Sequence, residues 1–142
     1  MRLSDEEAAT RLTDSVRGVL ATVHPQRGPQ AVPVVFAIDD ARRVAIPIDL
    51  VKPKAAGTLQ RELNLETDPR AALLVDRWDS DDWSQLWWVR AELRYETTLS
   101  RDGWGDWAAR LAARYPQYRD QPFARLLVLK IVGLTGWAAS GV

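Results

Sequence analysis

Leu86-Trp87-Trp88-Val89-Arg90-Ala91-Glu92-Leu93-Arg94-Tyr95-Glu96 is the stretch on which the fold turns. In an extended chain Trp87, Val89, Ala91, Leu93 and Tyr95 share one face, and Leu86, Trp88, Arg90, Glu92 and Arg94 share the other. The first face is apolar and the second mostly charged, the signature of a strand with one side against a core. Trp88 and Arg90 then point outward together, an unusual pair to expose unless a partner or ligand covers them.

Working outward, the same kind of segment recurs. Ala71–Val75 precedes it and ends in the acidic run Asp76 to Trp83. Val19–Val23 and Ala31–Ile38 are two strands around the turn His24-Pro25-Gln26-Arg27-Gly28-Pro29. Val44–Ile48 is a further strand, and Leu126–Val132 is the last, continuing through Gly133 toward Ala139. Pro33 and Pro47 interrupt two of these strands, and since proline cannot donate to a ladder, both positions mark an edge, a bulge or an open seam. Three helical patterns accompany the strands. Ser4 and Glu7 form a capping box ahead of a helix over Asp5–Asp14. A second pattern starts at Pro53 with Ala56, Leu59 and Leu63 on one face. A third covers Asp102–Tyr115, with Trp104, Trp107, Ala108, Leu111 and Ala112 at helical spacing. The expectation is a mainly β protein: a six-stranded antiparallel barrel with short helices at its ends, in a single domain over residues 1–142.

Composition narrows the chemistry. There is no cysteine, so disulfides, thiolate catalysis and cysteine-bound metal are excluded. Nineteen basic residues balance nineteen acidic ones, so the global field that would draw nucleic acid or an anionic membrane is absent. The N-terminus lacks an apolar signal core and the longest apolar run is too short to span a bilayer, which predicts a soluble, cytoplasmic protein. The single histidine, His24, reads as a turn residue, and one histidine builds neither a triad nor a histidine-rich metal site. The aspartates at 76, 79, 81 and 82 lack the glycine and terminal glutamate of a calcium loop. No serine stands in a nucleophile elbow.

One stretch does suit a ligand: Asp49-Leu50-Val51-Lys52-Pro53-Lys54-Ala55-Ala56-Gly57-Thr58-Leu59. Pro53 fits a first helical position and places Lys52 at the N-cap, where lysine cannot accept a hydrogen bond. The free N–H groups that follow, the two ammonium groups and the Thr58 hydroxyl together suit a phosphate. With no acid, base or nucleophile assembled elsewhere, a phosphate anchor points to a protein whose cofactor does the chemistry.

The order of Arg27-Gly28-Pro29 through Val35-Phe36, Lys52-Pro53-Lys54, Asp68-Pro69-Arg70, Leu86-Trp87-Trp88-Val89-Arg90-Ala91, Tyr115-Pro116-Gln117-Tyr118 and Thr135-Gly136-Trp137 resembles the pyridoxamine 5′-phosphate oxidase-like superfamily of FMN-binding-like split β-barrels. Within it the chain is most similar to an actinobacterial branch of oxidoreductases dependent on the deazaflavin coenzyme F420. That resemblance implies a homodimer with cofactor sites at the subunit interface. It implies Lys52, Lys54 and Thr58 on the cofactor phosphate, and Pro33, Val34, Ile46, Pro47, Ile48 and Asp49 along the ring and ribityl chain. Trp88 and Arg90 would come from the other protomer. No residue is implied as an acid, base or nucleophile. The implied reaction is hydride transfer from the reduced deazaflavin to a planar unsaturated small molecule. The alternatives are an FMN enzyme of the same fold or a non-catalytic flavin- or deazaflavin-binding protein. Where many relatives carry an arginine after the second lysine, this chain has Ala55-Ala56-Gly57, which thins the cationic cluster.

Overall fold

The structure is a computed structural model and describes residues 1–49, 59–120 and 123–140. Among the described residues seven antiparallel strands form one sheet: β1 (Gly18–His24), β2 (Gly28–Val34), β3 (Ala37–Ile38), β4 (Arg43–Asp49), β5 (Arg70–Arg77), β6 (Trp87–Leu99) and β7 (Phe123–Ala138). Their spatial order is β2-β1-β5-β6-β7-β4-β3. The two outermost strands, β2 and β3, are therefore consecutive in the chain, with Val35 and Phe36 alone between them.

That connection dictates the shape. Laid flat, the end strands of a seven-stranded sheet stand about 29 Å apart, at roughly 4.8 Å per neighbour. The link from Val34 to Ala37 spans at most about 11 Å, at about 3.8 Å per Cα step. The sheet must roll until its edges meet, which makes a barrel. Register shifts within β6 and β7, at Glu92/Leu93 and Tyr95/Thr97, help to bend the two longest strands around it.

The expected six strands become seven because Ala31–Ile38 is not one strand. Its first part pairs with β1 and its last two residues pair with β4, so the chain changes sides at Val35-Phe36. The strands are also not all short, since β6 has 13 residues and β7 has 16.

The barrel interior holds Leu20, Val44, Ile46, Ile48, Leu73, Val75, Val89, Ala91, Leu93, Leu127 and Leu129. Within β6 the alternation read from the sequence holds: Val89, Ala91 and Leu93 are buried, and Trp87 and Tyr95 pack against the core. Helix α1 (Asp5–Asp14) has both reciprocal bonds of the Ser4/Glu7 box and closes one end with Ala8 and Leu12. A second cluster lies outside the barrel. There α3 (Trp107–Arg114) packs Trp107, Ala108 and Leu111 with Trp104, Tyr118 and Phe123 over Ala37, Ala45 and Leu126.

Two helix expectations need correction. Helix α3 starts at Trp107 rather than Asp102, because Gly105 takes a positive φ of 52° that breaks the helix before it. Helix α2 spans Gln60–Thr67, with Leu59 extended at its N-cap, so it does not run unbroken from Pro53. Its start is met internally, since the Leu59 N–H donates to Glu62 Oε1 at 3.0 Å. Its buried face is Glu62, Asn64 and Leu65, whereas Leu63 is 46% exposed.

Candidate functional site

Where the barrel edges meet, the seam is only partly sewn. On β2, Pro33 lies opposite Val19 of β1, and among the described residues no strand pairs with the other side of β2. On β4, β3 pairs only with Val44 and Ala45, so from Ile46 onward that side of β4 has no strand neighbour among the described residues. Pro33 and Pro47 therefore lie on the two lips. Neither has an N–H to lend to a bond across the gap, so they help to keep the lips from zipping. Of the edge, bulge or open seam that the sequence left open for Pro33, the structure gives an edge strand.

Just beyond, Phe36 turns the corner with its side chain fully buried. Its N–H donates to the Tyr115 hydroxyl oxygen at 3.2 Å, and that hydroxyl faces the carbonyls of Phe36 at 3.0 Å and Val16 at 2.8 Å. A side chain thus serves backbone groups that no ladder reaches.

The unsewn part of the seam is a cavity of about 250 Å³ lined by Arg17, Pro33, Val34, Val35, Pro47, Asp49, Arg61 and Tyr118. It brings together four of the residues implied by resemblance: Pro33, Val34, Pro47 and Asp49. Ile46 and Ile48 lie on the same strand but are each 1% exposed, with side chains in the barrel core. Only their main chain is left to meet a ligand. Trp88 and Arg90 stand on the outer face of β6, away from this lining, with the Arg90 guanidinium 5.5 Å from the Trp88 ring and its Nε donating to Glu92 at 2.8 Å. Lys52, Lys54 and Thr58 lie outside the described residues.

Arg17, Val35, Arg61 and Tyr118 were not singled out by sequence reasoning as site residues. Arg61 sits in the first turn of α2, and its Nε is buried without a hydrogen-bond partner among the described residues. Burial lowers the guanidinium pKa, and the carboxylates of Glu62 and Asp49 offset this only in part. Glu62 is already engaged: Arg125 grips it at 2.8 and 3.0 Å while it also accepts from Leu59 N–H. Burying part of a guanidinium is costly, and an anion held by its terminal nitrogens would compensate the desolvated charge. Across the cavity, the Tyr118 hydroxyl donates to Asp49 Oδ1 at 2.8 Å. Burial first, and then this bond, push the phenol pKa far above its ordinary value, so Tyr118 stays protonated. The arrangement offers one desolvated cation, a phenol–carboxylate pair and flat apolar walls of proline and valine, which suits a planar ligand bearing an anionic group.

Helix α2 is held in this position by a polar cluster. Asn64 donates to Thr22 Oγ1 and Gln30 Oε1, each at 3.0 Å, and accepts from Gln60 at 2.9 Å. A different cavity, of about 520 Å³ near α3, holds Asp39, Asp40, Arg43 and Arg110. Its charges pair with one another, Arg43 with Asp39 and Arg110 with Asp40. His24 behaves as a turn residue, its Nδ1 accepting from the N–H groups of Gln26 and Arg27 at 3.1 Å. Among the described residues no acidic and histidine cluster could hold a metal ion, and no helix is long and apolar enough to cross a membrane.

Several solved structures share this architecture. An FAD-binding protein from Mesorhizobium loti superposes with a TM-score of 0.70 at 19% identity, over 96% of this chain and 93% of that one. An FMN-binding protein from Syntrophomonas wolfei gives 0.72 at 16% identity, over 94% and 88%. The heme storage protein HutZ from Vibrio cholerae gives 0.65 at 18% identity, over 94% of each chain. At these identities the likeness shows the fold. No curated protein matches the sequence. The model of the pyridoxamine 5′-phosphate oxidase family matches residues 4–138. That match starts at the N-cap of α1 and ends on the last residue of β7, so the whole described barrel falls inside it. The chain belongs to the pyridoxamine 5′-phosphate oxidase family.

Proposed function

We propose that the chain is an oxidoreductase that binds coenzyme F420 in the seam between β2 and β4 and reduces a planar unsaturated small molecule. The observation that carries this reading is Arg61, whose side chain lines a cavity walled by Pro33, Val34 and Pro47 and whose buried Nε has no hydrogen-bond partner among the described residues. A phosphate-bearing planar cofactor meets both needs at once. The Lys52-Pro53-Lys54 segment shortly before α2 adds two cations suited to the same phosphate. The bound reduced deazaflavin supplies the hydride. The chain's own part is to hold the phosphate, fix the ring between the two lips and keep water from the reacting face. Asp49 and Tyr118, tied to each other, form a polar wall of fixed geometry.

The reading includes a homodimer. Leu74, Trp88, Arg90 and Trp137 share one outer face of the sheet, since Trp88 lies opposite Trp137 and Arg90 opposite Leu74. Leu74 is 40% and Trp137 37% exposed, large apolar groups that a second copy would cover while bringing Trp88 and Arg90 to the cofactor. FMN is the second reading, favoured by the fold likeness to the FMN-binding protein of Syntrophomonas wolfei. The third, a binding protein without turnover, rests on the lack of an evident acid or base and on the likeness in fold to a heme storage protein.

Titration with F420 and with FMN tests the reading. F420 should bind, and both Arg61→Gln and the paired Lys52→Ala, Lys54→Ala change should weaken it by about tenfold or more, one charge-assisted contact being worth about 1.5–3 kcal/mol. Protein that purifies with a yellow flavin and ignores F420 would transfer the site to FMN. Unchanged affinity in the Arg61 variant for both cofactors would remove the anchor.

A further inference from the structure

Beside the seam cavity lies a larger groove of about 720 Å³, bordered by Val16, Val35, Tyr115, Pro116, Gln117 and Tyr118. Arg17, Val35, Asp49 and Tyr118 line both spaces, so the two adjoin through shared walls. We propose that this groove is the substrate subsite and takes a flat, apolar molecule carrying an acidic group, which Arg17 holds.

The walls set the apolar part. Val16 is 59% exposed in the segment between α1 and β1, where a large aliphatic side chain otherwise faces water. Tyr115 and Tyr118 present aromatic rings 5.7 Å apart and nearly edge-to-face, and Pro116 stands between them in sequence. The volume falls in the range of about 300–1,000 Å³ usual for small-molecule sites.

The charges set the acidic part. Arg114 also borders the groove, but its two terminal nitrogens are taken by the carbonyls of Thr13, at 2.6 Å, and Ser15, so it has no free terminal nitrogen to offer the groove. Its Nε is buried without a hydrogen-bond partner among the described residues, and the guanidinium lies 5.4 Å over the Phe36 ring. Asp49 is engaged by the Tyr118 hydroxyl. Arg17, exposed between the two spaces, has no acidic partner or hydrogen-bond acceptor among the described residues. An acidic group on the ligand would complete it, with the apolar body lying on Val16, Val35 and the tyrosines.

The inference rests on the cofactor reading only in calling the groove a substrate subsite, so its test uses cofactor-free protein. The probes are 8-anilinonaphthalene-1-sulfonate and its uncharged counterpart N-phenyl-1-naphthylamine, each followed by fluorescence. Both should bind. Arg17→Gln should weaken the sulfonate probe by about tenfold and leave the neutral probe unchanged, while Arg17→Lys keeps most of the sulfonate affinity. On addition of the sulfonate probe, the methyl resonances of Val16 and Val35 should shift and those of exposed Leu74 and Val132 should not. Equal losses for both probes, no loss for either, or shifts confined to Leu74 and Val132 would each overturn the proposal. So would failure of both probes to bind, the outcome if a second copy of the chain closes the groove. Failure of F420 and FMN to bind in the separate titration would leave these results standing and remove only the cofactor reading.

Discussion

Single side chains decide whether the seam stays open. Tyr115 serves the backbone of Phe36 where the chain crosses from β2 to β3. Tyr115→Phe keeps the ring but strands a buried N–H, and should cost about 1–3 kcal/mol in urea denaturation at neutral pH. A change within error of zero would show that the corner does not depend on that hydroxyl. Glu62 gives a pH signature. Burial works to raise its pKa, but hydrogen bonds from Arg125 and from Leu59 N–H, with the charges of Arg125 and Arg61, outweigh burial and hold the carboxyl below its ordinary 4.5. A folded-state pKa that is depressed contributes stability that is fully present above the unfolded value and lost as pH falls through the folded one. Glu62→Gln should therefore lower stability at neutral pH and flatten its decline in the acid range below about 4.5. Parallel acid profiles for variant and parent would count against the pairing with Arg125.

At the scale of elements, α2 is the part that presents Arg61, and the sheet holds it through Asn64, through Leu65 in the core and through the Glu62–Arg125 pair. Asn64 is 1% exposed and joins β1, β2 and α2 through Thr22, Gln30 and Gln60. Asn64→Ala leaves several polar groups without partners and should cost about 1–3 kcal/mol. Its sharper mark should be local: amides of residues 60–67 should exchange faster while those of β6 and β7 keep their protection. Uniform loss across the sheet would mean that Asn64 supports the barrel rather than the helix. The helix borders carry a related lesson. The helical face of Trp107, Ala108 and Leu111 was legible from their spacing, but the start at Trp107 was not, because it depends on the left-handed turn at Gly105.

For the whole molecule, the outer face of β5, β6 and β7 bears on assembly. If Trp88 and Trp137 are covered by a second copy, Trp137→Glu should halve the mass measured by sedimentation equilibrium and weaken cofactor binding with it. A parent protein that is monomeric at all concentrations would end the dimer reading. A dimeric variant would move the interface elsewhere.

Local and periodic features follow from the amino-acid order. The Ser4/Glu7 box and α1 are built from neighbours three and four residues apart. The buried face of β6 follows from a period of two, and a missing N–H limits Pro33 to an edge, a bulge or an open seam. The resemblance added the grouping of Pro33, Val34, Pro47 and Asp49, without the distances. The remainder depends on how the folded sheet closes. Closure split Ala31–Ile38 into two strands, because the barrel could close only if the chain changed partners at Val35-Phe36. It left Ile46 and Ile48 to the core and gave the seam Arg17, Arg61 and Tyr118 instead. Tyr118 and Asp49 are 69 positions apart in sequence, and no spacing rule relates them. They meet because a rolled sheet converts distant positions into facing ones, a property of closure and register that no local pattern encodes.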